Sequence, residues 1–174
     1  MTGAEGGPPP LVGIVGWSGA GKTTLVARLV AELSARGLKV ATIKSAHHPL
    51  RPRDGSTDGE RHAQAGASAV AVLAPDVWEI SGTLQTGPPP ALHAVAARLT
   101  PADVVLVEGM KRAAIPKIEV RCRAARSQDP LAPSDPRVFA IAADHQIADA
   151  AVPVLARDDT AGLAGLIAAR VLHL

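Results

Sequence analysis

The sequence predicts an α/β protein in which a mostly parallel sheet lies between layers of helices, with one β-hairpin added. Three observations carry this reading. Short apolar runs such as Leu11-Val12-Gly13-Ile14-Val15 and Val104-Val105-Leu106-Val107 are continuous rather than alternating, as strands buried on both faces must be. Helical apolar spacing follows the first run, with Leu25, Leu29 and Leu33 joined by Val26 and Val30. Ala69–Leu73 and Trp78–Leu84 are strand-like runs joined through Ala74-Pro75-Asp76, which is hairpin chemistry.

The first strand and helix are joined by Gly16-Trp17-Ser18-Gly19-Ala20-Gly21-Lys22-Thr23, which satisfies G-x-x-x-x-G-K-[ST] at every fixed position. Glycines let a tight loop turn its N–H groups onto phosphate oxygens, because no Cβ blocks the approach. Lys22 supplies a point charge to the phosphates and Thr23 a hydroxyl for Mg²⁺, while the following helix adds its positive end. Strand, loop and helix in this order predict a P-loop NTPase three-layer fold.

Gly37 stops the first helix, and Leu38–Lys44 reads as a second strand reached by a helical crossover, hence parallel to the first. Ser45 to Pro49 and the Pro-, Arg- and Gly-rich stretch Leu50 to Thr57 form a loop. His47, His48 and His62 match no standard zinc spacing, and solvated or phosphate-facing roles suit them better. Thr57 and Glu60 are spaced as a capping box for a helix to about Ala65. Asp58 in its first turn has two roles open to it, favouring the helix end or bearing on Mg²⁺.

In the hairpin, Trp78, Ile80 and Leu84 share a face, which suits either a subunit interface or packing on its own domain. Gly87-Pro88-Pro89-Pro90 breaks the chain, and Leu92, Val95 and Leu99 mark a short helix. Val104 to Val107 then delivers Glu108 at the carboxyl end of a buried strand, beside the phosphate loop, where a carboxylate holds Mg²⁺ directly or through water. Lys117–Cys122 and Phe139–Ala143 are further strands separated by a polar, proline-bearing loop. Asp144 ends the last of these at the same rim, as an acceptor for the nucleotide base or as a cap. Val152–Leu155 and a helix from Thr160 to Leu172 complete the chain.

Composition sets the outer bounds. At 174 residues, residues 11–174 are expected to form one domain, with residues 1–10, three glycines and three prolines among them, a disordered lead-in. A net charge of +2, no Tyr, one Phe and two Trp provide neither the basic footprint nor the ring platforms of a nucleic-acid binder. No apolar run reaches the ~18 residues of a membrane span and no signal-like start is present, so a cytoplasmic location is expected. Cys122, alone of its kind, reads as a buried, inert thiol.

Taken together, Gly16 to Thr24, Ile43-Lys44 with His47-His48, Asp58, Ala65-Gly66-Ala67, Val107-Glu108-Gly109-Met110-Lys111 and Ala140 to Asp144 resemble the MobB family, the molybdopterin-guanine dinucleotide biosynthesis adapters. The resemblance covers nearly all the chain beyond its first ten residues. It implies a homodimer that binds GTP, hydrolyses it weakly at most, and assists the guanylyltransferase MobA in attaching GMP to molybdopterin. It also implies phosphate contacts from Gly19, Gly21, Lys22 and Thr23, with Thr23, Glu108 and Asp58 around Mg²⁺. The family's Gly-Lys-Asp is Ser56-Thr57-Asp58 here, and Met110 replaces a common Phe. The guanine reader Asn-Lys-x-Asp is absent, since the chain has no Asn, which leaves Asp144 as the substitute acceptor. The competing class is a small-molecule kinase using the same loop, with Arg51, Arg53 and Arg61 closing over the phosphates.

Overall fold

The computed structural model describes residues 7–46, 57–82 and 90–174, and its contacts divide the chain into two compact units, residues 1–45 with 92–174 and residues 46–91. His47, His48, Arg51, Arg53 and the break at Gly87-Pro88-Pro89 lie outside the described residues.

In chain order the elements are β1 Leu11–Val15, α1 Lys22–Ala35, β2 Val40–Lys44, α2 Asp58–Gln64, β3 Ala69–Leu73, β4 Trp78–Gly82, α3 Leu92–Ala96, β5 Val104–Glu108, β6 Lys117–Arg121, β7 Val138–Ala143, β8 Val154–Ala156 and α4 Thr160–Ile167. The last helix widens into a π turn over Ala168–Leu172.

The first unit is a six-stranded sheet in the order β2-β5-β1-β6-β7-β8, with every pairing parallel. Alternation along the central strands gives each face its own core. Val12, Ile14, Val104, Leu106, Ile118 and Val120 pack with Leu25, Leu29 and Leu33 of α1 and Leu163 and Ile167 of α4. Leu11, Val105 and Val107 face the other way, onto Ala96 and Leu92 of α3 and Ile115. Two buried faces explain why these strands read as continuous apolar runs. The expected three layers are therefore present. The core reaches back past Leu11, for Pro9 is buried and the Pro10 carbonyl accepts from the Val105 N–H at 2.9 Å.

Among the described residues of this unit two charged side chains are buried. Lys117 is 1% exposed and donates from Nζ to Asp135 Oδ2 at 2.7 Å. Glu119, equally buried, accepts from the Leu131 and Ala132 N–H groups at 3.0 and 2.8 Å. The polar stretch between β6 and β7 has no α-helix, so these bonds hold it against the sheet.

The second unit contains α2, β3 and β4. Thr57 and Glu60 form the expected capping box, each side chain meeting the other's backbone N–H at 3.2 Å. Strands β3 and β4 pair antiparallel from Ala69↔Gly82 to Leu73↔Trp78. Strand β4 ends at Gly82, short of the expected Leu84, which lies outside the described residues. Leu73, Val77, Trp78 and Ile80 are exposed.

Candidate nucleotide site

A parallel sheet sends every strand's carboxyl end to one rim, and the predicted residues of the first unit gather there. Gly16 leaves β1 at a point where a Cβ would lie 2.4 Å from the Val120 carbonyl oxygen, so only glycine passes β6 so closely. Gly21 is the N-cap of α1 with φ +88°, a left-handed conformation that other residues resist. It carries no side-chain oxygen, and the first turn contains no acidic residue, so α1 opens with donors that no side chain caps.

The loop is braced from outside. Trp17 donates from Nε1 to the Asp129 carbonyl at 2.7 Å, Arg126 N–H donates to the Ser18 carbonyl at 2.9 Å, and Arg157 Nη1 donates to the Ala20 carbonyl at 3.0 Å. Trp17 also holds the Lys111 ammonium 3.2 Å from its ring centroid. Its ring thus anchors the loop and positions a cation.

Beyond the loop, Thr23 Oγ1 donates to Glu108 Oε1 at 2.7 Å. Lys44 Nζ lies 2.9 Å from that same carboxylate oxygen and 3.3 Å from Thr23 Oγ1. Lys22, partly buried, donates to the Trp17 carbonyl at 2.9 Å. Two lysines, Lys44 in contact and Lys22 through its charge, therefore bear on one carboxylate. Burial pushes the Glu108 carboxyl up, yet the hydrogen bonds from Lys44 and Thr23 and the charges of Lys44 and Lys22 prevail and hold it below its ordinary value. Burial lowers Lys22, opposed by Glu108 and reinforced by Lys44. Burial, then the charge on Lys22, lowers Lys111.

This constellation suits magnesium triphosphate chemistry. Octahedral Mg²⁺ with ligands at 2.0–2.1 Å sets adjacent oxygens about 2.9 Å apart. The Thr23 and Glu108 oxygens stand 2.7 Å apart. Among the described residues no group of three or more His, Cys, Asp or Glu could hold a metal. A cation here would draw its further oxygens from phosphate and water. Asp58 belongs to the second unit, where it opens α2 and accepts from Arg61 Nη1 at 3.3 Å.

On the other flank a cleft of about 1360 Å³ is lined by Gly21, Thr24, Arg28, Asp144, His145 and Arg157, among others. Asp144 walls the cleft, and its carboxylate also ties the ends of β6 and β7 together. Its Oδ1 accepts from the Arg123 N–H at 3.1 Å and His145 Nδ1 at 2.7 Å, and its Oδ2 accepts from Cys122 Sγ at 2.9 Å. The Cys122 and His145 hydrogen bonds, helped by Arg123 and Arg157, hold the carboxyl well below the usual carboxylate range. Cys122 is buried as expected, with a thiol that serves as a donor.

Sequence reasoning assigned no role to Lys44, Lys111 and Arg157. Lys44 ends a parallel strand at the functional rim and Lys111 follows Glu108-Gly109 closely, so position marked both. Nothing in the chain marked Arg157.

A model of molybdopterin guanine dinucleotide synthesis protein B, MobB, matches residues 11–144. The chain belongs to the MobB family. Its place is accordingly in molybdopterin guanine dinucleotide biosynthesis, as an adapter. It is 37% identical over 140 residues to the molybdopterin-guanine dinucleotide biosynthesis adapter protein of Haemophilus influenzae, covering 79% of this chain and 76% of that one. Its identity to the Escherichia coli adapter protein is 31% over 160 residues, 91% of each chain. The crystal structure of a MobB homologue from Bacillus stearothermophilus superposes with a TM-score of 0.66 at 26% identity, covering 94% of this chain and 99% of that one. A second MobB crystal structure, at TM-score 0.70 and 22% identity over 91% and 98% of the two chains, supports the fold. The MobB match spans the phosphate loop, Lys44, Glu108, Lys111 and Asp144, and stops before Arg157. Among the described residues no helix is long and apolar enough to cross a membrane.

Proposed function

We propose that this MobB-family chain binds GTP with Mg²⁺ and, as a homodimer, assists a MobA-type guanylyltransferase in attaching GMP to molybdopterin. The observation that carries the nucleotide half is the Thr23–Glu108 pair, 2.7 Å apart at the uncapped start of α1 and beside Lys22. Bound Mg²⁺ would neutralise phosphate charge. The chain's own residues supply the rest of the site. The loop's backbone N–H groups between Gly16 and Thr24, apart from that of Ala20, which donates to the Trp17 carbonyl at 3.1 Å, would serve the phosphates, Lys22 would exchange the Trp17 carbonyl for a phosphate oxygen, and Thr23 and Glu108 would hold the cation. The cleft beside Gly21 accepts the base, with Asp144 as acceptor once His145 yields its hydrogen bond.

Turnover is slow on this reading. Hydrolysis needs a residue that orients water and a cation on the transferring phosphoryl group. Among the described residues Lys111 lies near Lys22 and Trp17, but no glutamine is assigned to the water. The partner's gain from this chain is then binding and presentation of the nucleotide.

The deciding experiment is calorimetric titration of the magnesium-loaded protein with GTP and with ATP, alongside guanylylation of molybdopterin by the partner enzyme. The expected result is GTP preference and stimulated guanylylation, with nucleotide binding lost in Lys22→Ala at unchanged thermal stability. Equal affinity for ATP, together with an acceptor-dependent phosphorylated product, would establish the kinase reading in its place.

A further inference from the structure

Lys44 and Glu108 are the last residues of β2 and β5 and face each other across the parallel ladder. The ammonium reaches the two oxygens whose 2.7 Å separation suits a divalent cation, Glu108 Oε1 at 2.9 Å and Thr23 Oγ1 at 3.3 Å. One positive group already stands where a second would have to go. The two partners differ in freedom, for the Lys44 side chain is 60% exposed and that of Glu108 only 13%. Swinging the lysine away costs little packing, whereas the carboxylate stays fixed for whichever cation is present.

We propose that Lys44 is a resident counter-cation: its ammonium holds the Glu108 and Thr23 oxygens in the free protein, supports nucleotide binding without metal, and withdraws when a divalent cation takes those oxygens. The inference rests on the phosphate-site reading above. It assigns Lys44 a role distinct from that of Lys22, which serves the phosphates whether or not metal is bound. Lys44 sets how strongly nucleotide binding depends on metal.

The test compares GTP dissociation constants of the wild type and Lys44→Gln, each in excess EDTA and in saturating Mg²⁺. The informative quantity is the EDTA constant divided by the Mg²⁺ constant. Lys44→Gln should weaken binding in EDTA at least fivefold and leave binding in Mg²⁺ equal or tighter, so the quotient rises at least fivefold. Electron paramagnetic resonance titration with Mn²⁺ at saturating GTP should show tighter metal binding in the variant. An unchanged or smaller quotient overturns the inference, whether both constants weaken together, as for an ordinary phosphate ligand, or neither moves. A wild type that binds no GTP in either medium overturns the phosphate-site reading and this inference with it; binding with an unchanged quotient overturns the inference alone.

Discussion

Arg157 donates from Nη1 to the carbonyl oxygen of Ala20 at 3.0 Å, tying the segment after β8 to the last turn of the phosphate loop. The same guanidinium places Nη2 3.5 Å from Asp144 Oδ2, so one side chain spans loop and cleft. Its Nε is buried without a partner, a cost that the other two contacts offset.

Removing that span should loosen the loop without unfolding the sheet. Arg157→Ala is expected to weaken GTP binding about tenfold, the loss of roughly one charge-assisted hydrogen bond at 1.5–3 kcal/mol discounted for partial exposure. Titration calorimetry measures the affinity, and a thermal melt within a few degrees of the wild type separates it from global destabilisation. Unchanged affinity would show that the loop holds its shape unaided.

Gly16 makes a steeper prediction. A methyl group there would meet the Val120 carbonyl at 2.4 Å, which is backbone and cannot rotate aside. Gly16→Ala should therefore force β1 and β6 apart at the rim, costing about 1–3 kcal/mol and abolishing nucleotide binding. Urea denaturation and GTP titration of one sample read both effects. A variant that binds normally would mean the loop can shift at no cost.

The Lys117–Asp135 pair predicts an acid-sensitive stability. Hydrogen bonding from Arg137, with Lys117 adding to it against the opposing effect of burial, holds the Asp135 carboxyl well below its ordinary 3.8. A carboxyl whose folded value is depressed contributes above its unfolded value and loses that contribution as pH falls toward the folded one. Asp135→Asn should thus cost about 3–5 kcal/mol at pH 7, because the buried Lys117 keeps an unpaired charge. The difference from wild type should narrow as pH falls below about 4. Lys117→Met in the Asp135→Asn background should recover most of the loss, and urea melts at pH 7, 4 and 3 of all three proteins test the set.

Much of this was legible before any coordinates. The runs at β1, β5 and β7 are apolar throughout because both faces of the sheet are covered, and that pattern needs no knowledge of the partners. The Thr57–Glu60 capping box is local, so four residues sufficed to read it. Thr23 and Glu108 were foreseeable as neighbours because parallel strands deliver their ends to one rim. The charged core was not. Lys117 and Glu119 alternate within β6 as surface residues would, and their partners Asp135, Leu131 and Ala132 sit in a stretch that reads as solvent-facing loop. Pairing at such separations leaves no periodic trace. Arg157 was hidden for the same reason, being 137 residues from the carbonyl it meets.

The all-parallel sheet also separates the molecule's liabilities. Lys117 is level with Gly13 and Glu108 with Ile14, so the two stand one residue apart along the ladder and project from opposite faces of the sheet. With β1 between them, about two strand spacings of ~4.8 Å part their backbones. Sharing no partner, the Lys117–Asp135–Arg137 network and the Glu108–Lys44 pair should respond to substitution nearly additively. Rigidity can therefore be tuned on one face and chemistry on the other.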